Sequence, residues 1–259
     1  MTSRIAVVTG AARGIGAEVV RNLTGCGWSV LAVDACTDDA AIGYPLASPA
    51  DLESICRQTG ALPVQADVRD RAALAAAVDL AERRFGGLDA AVAAAGVIGG
   101  GMPLWATPDA VRDAVWDVDL GGVWNLAAVA VPALLRRPEP RAGRFVAVAS
   151  VAADRGLLHL AAYCAAKHAV VGLVRGLAHD LRGTGVTATA VSPGSTDTDL
   201  LTASAALYGL TDPATLAAEH LVGRVLDPAE VAAAICWLCG PQASAVTGTV
   251  LHADGGFTA

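Results

Sequence analysis

The chain has 259 residues and a formal net charge of −7; 54% of its residues are hydrophobic but only 4% aromatic, so alanine, valine and leucine must do most of the packing. That length holds one large α/β domain or two small ones, with ample apolar material for a core. The negative balance argues against nucleic acid as the main partner, because phosphate binding needs a positive patch.

Short apolar runs alternate with longer amphipathic ones. In chain order, the pattern predicts strand Ile5–Thr9, helix Gly14–Thr24, strands Ser29–Asp34 and Pro63–Ala66, helix Arg71–Phe85 and strand Ala90–Ala94. It then predicts an interrupted helix over Pro108–Leu135, strand Arg144–Ala149, helix Ala161–Leu181, strand Thr187–Ser192, helix Pro228–Leu238 and strand Val250–Ala253. Near-continuous apolar strands separated by helices indicate a parallel sheet covered on both faces. The expected fold is a single doubly wound α/β domain over residues 1–259, with about seven strands.

Two segments break the rhythm. Residues 35–60 are long for a connection between strands, although Ser48-Pro49-Ala50-Asp51 has the form of a helix N-cap with proline at the first helical position. Residues 195–224 form a second excursion, at the carboxyl end of a strand where substrate lids are found. Met1-Thr2-Ser3-Arg4 leads straight into an apolar strand with no signal-peptide pattern. The apolar stretch 90–108 is broken by glycines and Pro103, and 120–135 is short for a span and contains Pro132. The expectation is a cytoplasmic protein without a membrane partner. Cys236-Trp237-Leu238-Cys239 lies in an apolar run with no second Cys/His pair at metal spacing, so no metal site is expected.

Three chemical signals stand out. The first strand ends in Thr9-Gly10-Ala11-Ala12-Arg13-Gly14-Ile15-Gly16, a glycine-rich turn opening a helix. Such a turn lets a pyrophosphate approach the backbone and lie against the helix N-terminus. Asp34 ends the second strand; a carboxylate there accepts hydrogen bonds from both adenosine ribose hydroxyls and repels a 2′-phosphate, which favours NAD over NADP. Arg13 argues the other way, since a basic loop residue can reach such a phosphate. Asp67-Val68 closes the third strand, beside the expected adenine. Lys167, the single lysine of the chain, sits four residues after Tyr163. On a helix these positions share a face, and an ammonium there lowers a phenol's pKa toward the range useful for acid–base catalysis.

Together these residues resemble the short-chain dehydrogenase/reductase family over essentially the whole chain. The motifs run in order: Thr9-Gly10-x3-Gly14-Ile15-Gly16, Asp67-Val68, Ala95-Gly96, Ser150, Tyr163-x3-Lys167, Pro193-Gly194 and Asp254-Gly255-Gly256. The resemblance implies that Tyr163 exchanges a proton with the substrate oxygen while hydride moves to or from NAD. It implies that Lys167 lowers the Tyr163 pKa and contacts the nicotinamide ribose, and that Ser150 hydrogen-bonds the reacting oxygen. Pro193, Gly194 and a threonine, Thr198 or Thr196, are expected along the nicotinamide. Two departures matter. Ala93-Ala94-Ala95-Gly96 replaces the usual Asn-Asn-Ala-Gly, and Asp119 stands where the family has a water-holding asparagine. Aspartate there either holds a water or pairs directly with Lys167; a close negative charge opposes phenolate formation.

Tyr44-Pro45-Leu46-Ala47-Ser48-Pro49 and the glycine-rich stretch Ala93–Trp105 resemble the mycofactocin-associated branch. That branch implies an insertion covering a slowly exchanging NAD, here 35–60 with Tyr44 and Pro45 as shields, and mycofactocin as the external redox partner. Trp105, His159, Leu160, Leu201 and Tyr208 are pocket candidates, pointing to a small hydrophobic alcohol or ketone. The resemblance also implies a homotetramer. Competing readings are an ordinary dehydrogenase with exchangeable NAD(P), such as a 3-ketoacyl-carrier reductase, and a non-catalytic NAD-binding sensor or scaffold.

Overall fold

The computed structural model describes residues 3–259. Seven parallel strands form one sheet: β1 (Ile5–Thr9), β2 (Ser29–Asp34), β3 (Leu62–Gln65), β4 (Ala90–Ala93), β5 (Arg144–Val148), β6 (Thr187–Pro193) and β7 (Val250–Ala253). Their order is β3-β2-β1-β4-β5-β6-β7, parallel at every pairing. The order reverses between β1 and β4, and the carboxyl ends of strands at such a switch point frame a ligand crevice.

The central strands are largely apolar because both faces are covered, although β6 buries Thr187, Thr189 and Ser192, and the edge strand β3 alternates half-buried and exposed residues. Along β1, Ile5 and Val7 face one core while Ala6 and Val8 face the other. The first core packs against α3 (Arg71–Phe85), α5 (Gly122–Leu135) and α6 (Ala161–Asp180), through Leu74, Val78, Leu126, Leu134, Val170 and Val174. The second packs against α1 (Gly14–Gly25), α2 (Pro49–Thr59) and α8 (Pro228–Cys239), through Val19, Val20, Leu23, Leu52, Val231 and Ile235. Each fully buried Leu, Ile or Phe, such as Leu126, Ile235 and Phe145, contributes about 1.5–3 kcal/mol relative to exposure. This is the doubly wound α/β fold that the alternating apolar pattern predicts.

Boundaries differ from the sequence expectation by a residue or two, with three larger differences. Ser48 and Asp51 cap each other's backbone amides to start α2, a full helix inside the 35–60 segment. A further helix, α7 (Asp199–Leu207), opens the second excursion, with Thr198 as its N-cap. The expected interruption of 108–135 is a π-helical turn, Asp117–Gly121, between α4 (Asp109–Trp116) and α5. The helix therefore runs continuously from Asp109 to Leu135, 27 residues, long and apolar enough to cross a membrane by length and composition. Val123, Leu126, Ala130, Ala133 and Leu134 of this helix belong to the core. Gly122 lets it approach the β3–α3 turn so closely that a Cβ would lie 2.5 Å from Val68 Cγ2.

Candidate active site

A cleft of about 480 Å³ opens at the carboxyl edge of the sheet over the switch point. It is lined by every cofactor residue expected from the sequence: Gly10, Arg13, Gly14, Ile15, Gly16, Asp34, Asp67, Val68, Ala95, Gly96, Tyr163, Lys167, Pro193, Gly194, Thr196 and Thr198. Ser150 lines it as well, and Asp119 lies fully buried behind it.

The glycine turn is built for close approach. Gly10 has φ +66°, and a Cβ on it would lie 2.6 Å from Ala95 Cα. A Cβ on Gly16 would collide with the Gly10 carbonyl oxygen. The N-cap of α1 is Arg13, whose side chain caps no amide. The first-turn N–H groups of α1 are thus left for an anion in the cleft. Asp34 is fixed at the end of β2, where its carboxylate accepts from Ala12 N–H at 3.0 Å and Cys36 N–H at 3.2 Å. At the far end, Arg69 donates to Asp67 and, at 2.6 Å, to Asp39 of the segment after β2. The Arg69 guanidinium and neighbouring amides hold both carboxyls below the usual carboxylate range, offsetting the upward effect of burial.

Residues 35–47 turn back across the cleft. Thr37, Asp39, Ile42, Tyr44, Leu46 and Ala47 all line it. The Tyr44 hydroxyl accepts from Ile98 N–H at 3.2 Å, and burial pushes its pKa up to about 12. Arg13 lies over the Tyr44 ring, donates to Pro45 O at 3.0 Å and pairs with Asp199 of α7 at 2.9 Å. Ile42 packs with Val97, Ile98, Val115 and Leu160 in a third apolar cluster above the sheet edge.

The chemistry-bearing residues converge at the other end. Ser150 follows β5; Tyr163 and Lys167 lie one turn apart on α6, with Lys167 Nζ 5.5 Å from the Tyr163 ring centre. Lys167 Nζ donates to Val148 O at 3.2 Å and lies 3.9 Å from Asp119 Oδ2. Asp119 Oδ1 accepts from Val97 N–H at 2.8 Å, while Oδ2 has no hydrogen-bond partner, alone among buried side-chain polar atoms of the described residues. Burial pushes Asp119 up to about 6, against the pull of the Lys167 ammonium and the Val97 amide. The net shift at the Tyr163 phenol is upward. Burial and then the Asp119 charge raise the phenol well above its ordinary value, and the Ser150 hydroxyl only partly offsets them.

Near Pro193 and Gly194, both candidate threonine hydroxyls are engaged locally. Thr196 donates to Gly194 O at 3.0 Å; Thr198 donates to Thr196 O at 3.2 Å and caps α7. Ser195 stitches this loop to the second excursion, accepting from Leu226 N–H, donating to Leu216 O at 2.7 Å and donating its own N–H to His220 Nε2 at 3.1 Å.

Of the pocket candidates, Leu160, Leu201 and Tyr208 line the cleft, but Trp105 and His159 do not. Trp105 is 86% exposed on a short 3-10 turn. His159 sits in left-handed backbone (φ +58°) and contributes its carbonyl to Gly101 N–H at 3.1 Å. Gly100 and Gly101, with φ of +155° and +87°, stand between Ile98, which lines the cleft, and Trp105, which does not. Sequence reasoning missed Leu157, Leu200, Leu216 and Phe257, which line the apolar end and carry no motif of their own. Cys236 and Cys239 lie on α8 with thiols pushed up by burial, and no group of three or more metal-binding side chains exists among the described residues.

Comparison with known proteins agrees with this geometry. The family profile described as Enoyl-(Acyl carrier protein) reductase matches residues 10–258. The chain is 37% identical over 258 residues to cis-4-hydroxycyclohexanecarboxylate dehydrogenase of Sinomonas cyclohexanicum, covering 99% of this chain and 97% of that one. It is 36% identical over 203 residues to (−)-trans-carveol dehydrogenase of Rhodococcus erythropolis, covering 76% and 73%. Carveol dehydrogenase from Mycobacterium avium in complex with NAD superposes with a TM-score of 0.93 at 29% identity, covering 100% of this chain and 98% of that one. The chain belongs to the short-chain dehydrogenase/reductase family.

Proposed function

We propose that this protein oxidises and reduces a small, uncharged, hydrophobic secondary alcohol/ketone pair with NAD, which it holds tightly. The observation that carries the reading is the convergence of Ser150, Tyr163 and Lys167 on one end of a cleft whose other end is a glycine cradle with Asp34. The cradle fits a dinucleotide. Its close approaches leave no room for a Cβ at Gly10 or Gly16, and the uncapped first turn of α1 offers amides to a pyrophosphate. Arg13 is committed to Asp199 and the Pro45 carbonyl, so it does not compensate for the repulsion between Asp34 and a 2′-phosphate. This favours NAD over NADP.

When bound, NAD supplies the hydride acceptor or donor. Tyr163 exchanges a proton with the substrate oxygen, Ser150 donates a hydrogen bond to that oxygen as charge develops, and Lys167 holds positive charge beneath them. The residues around the reacting end are Leu157, Leu160, Leu200, Leu201 and Tyr208. Among the described residues, the cations lining the cleft are Arg13, Arg69 and Lys167, each facing a carboxylate. An uncharged ring alcohol suits such a pocket better than a carboxylated one. The relatives named above for carveol and for a hydroxycyclohexanecarboxylate frame that comparison.

The fold-over of residues 35–47 supports retained NAD recycled in place by mycofactocin, since Arg69, Arg13 and Ile98 each tie that segment down along the cleft. The segment beginning at Ser195 is the proposed substrate lid. Trp124, 62% exposed on α5, and Trp116 on α4 give the central helices an apolar outer face consistent with the expected homotetramer. The test is retention. NAD should survive purification, exchange slowly with labelled free NAD, and be reduced by cyclic secondary alcohols with turnover only when an artificial electron acceptor is added. Rapid exchange would remove the mycofactocin reading while leaving an ordinary NAD dehydrogenase.

A further inference from the structure

The Asp119–Lys167 contact changes what a lysine beside the reactive tyrosine does. Asp119 sits on the π-helical turn between α4 and α5, fully excluded from solvent. Its Oδ1 is committed to the Val97 amide, and its Oδ2 lies 3.9 Å from Lys167 Nζ, too far for a hydrogen bond but close for two buried charges. Gly96 covers the pair: a Cβ there would lie 3.1 Å from Asp119 Oδ1 and 3.4 Å from Lys167 Nζ.

The carboxylate at 119 gives Val97 N–H an acceptor and the Lys167 ammonium a negative charge. An amide at 119 can still accept from Val97 N–H through its oxygen but offers Lys167 no negative charge. The charges therefore compensate each other behind Tyr163, and a compensated ammonium stabilises a phenolate less than a free one does. The other groups facing the Tyr163 phenol are the Ser150 hydroxyl, Cys164 on its own helix and the neutral phenol of Tyr44 across the cleft. None of these supplies a second positive charge.

Resting on the oxidoreductase reading, we infer that Asp119 is a positioning residue that acts through Lys167 to hold Tyr163 in its phenol form and sets the pH at which Tyr163 can serve as a base. In the reducing direction the phenol gives its proton to the carbonyl oxygen as hydride adds to the carbonyl carbon, leaving phenolate. In the oxidising direction a phenolate must be present to accept the alcohol proton. An acid-poised Tyr163 thus favours reduction near neutral pH and confines oxidation to alkaline solution. Both limbs report the same ionisation.

The test compares wild type with Asp119→Asn and Asp119→Ser. The phenolate ultraviolet band is titrated in protein freed of NAD, with Tyr163→Phe identifying the Tyr163 signal among the three tyrosines. The pH dependence of alcohol oxidation is measured alongside it. Removing the charge should lower the Tyr163 ionisation by about one pH unit in both readouts and raise oxidation at neutral pH up to about tenfold. Asp119→Ser carries the test if the asparagine variant fails to fold. A folded variant that loses rate at every pH with no displacement of the titration overturns the proposal and leaves Asp119 structural. If wild type turns over no alcohol or ketone, the oxidoreductase reading fails by itself, while the phenolate titration still decides what Asp119 does to Tyr163.

Discussion

The hydroxyl of Tyr44 accepts a hydrogen bond from the amide of Ile98 at 3.2 Å, joining the segment after β2 to the segment after β4 across the mouth of the cleft. Ile42 and Tyr44 pack into the same apolar cluster as Val97, Ile98 and Leu160, so the contact combines burial with a polar tie. Removing the hydroxyl strands a part-buried amide at a cost of about 1–2 kcal/mol. Tyr44→Phe should therefore release bound NAD roughly ten times faster, measured by exchange with labelled NAD, with little change in the rate at which bound NAD is reduced in a single turnover.

Arg69 bridges Asp39 and Asp67 at the other end of the same segment. Arg69→Ala leaves two carboxylates facing each other. Because the three groups are partly exposed, the expected loss is modest, about 3- to 10-fold in NAD retention, and smaller at high salt. The pH dependence has a definite sign. Both carboxyls have depressed pKa values in the fold, so their contribution is present above about pH 4 and is lost as pH falls through their folded values. Acidification should open this end in wild type and have less effect in Arg69→Ala, read as NAD fluorescence during a pH titration.

Two glycines of α1 make a controlled pair. Gly16→Ala places a methyl group into the Gly10 carbonyl, so the turn must deform and NAD retention should be lost. Gly25→Ala meets no atom within 4 Å and should stabilise the fold by up to about 1 kcal/mol through reduced chain entropy. Thermal unfolding and NAD content after gel filtration measure both.

Most of this architecture is legible in the chain because burial on both faces writes β1, β4 and the interiors of β2 and β5 as apolar runs. The glycine cradle and the Tyr163/Lys167 pair are legible because their spacings are set by a tight turn and by one turn of helix. The interruption in 108–135 was visible, but not that it is a π-helical turn, since its residues are helix-compatible on both sides. Trp105 illustrates the opposite difficulty. An aromatic beside glycines suggests a pocket wall, yet Gly100 and Gly101 take the backbone into positive φ and leave the indole in solvent. The rise of the Tyr163 pKa depends on desolvation and on Asp119, quantities that exist only once the chain is folded.

Asp119 should leave its own mark on stability. Its folded pKa is raised from 3.8 to about 6, so folding favours its protonated form. The stability this lends is complete below about pH 4 and is lost as pH rises through about 6, on the order of a few kcal/mol. Comparing urea unfolding of wild type and Asp119→Asn from pH 4 to 7, the wild type should lose about that much relative to the variant. The slope isolates the titration from any constant cost of leaving Lys167 without its counter-charge.

The central claim is that Tyr163 moves the proton while bound NAD is reduced. Rapid mixing of NAD-loaded protein with a cyclic secondary alcohol, followed by nicotinamide absorbance, tests it most directly. Wild type should show one reduction event per bound NAD at alkaline pH, and Tyr163→Phe should slow that event by at least about a hundredfold while keeping its NAD. Equal rates in the two proteins, or no reduction of bound NAD by any alcohol in a broad panel, would contradict the account.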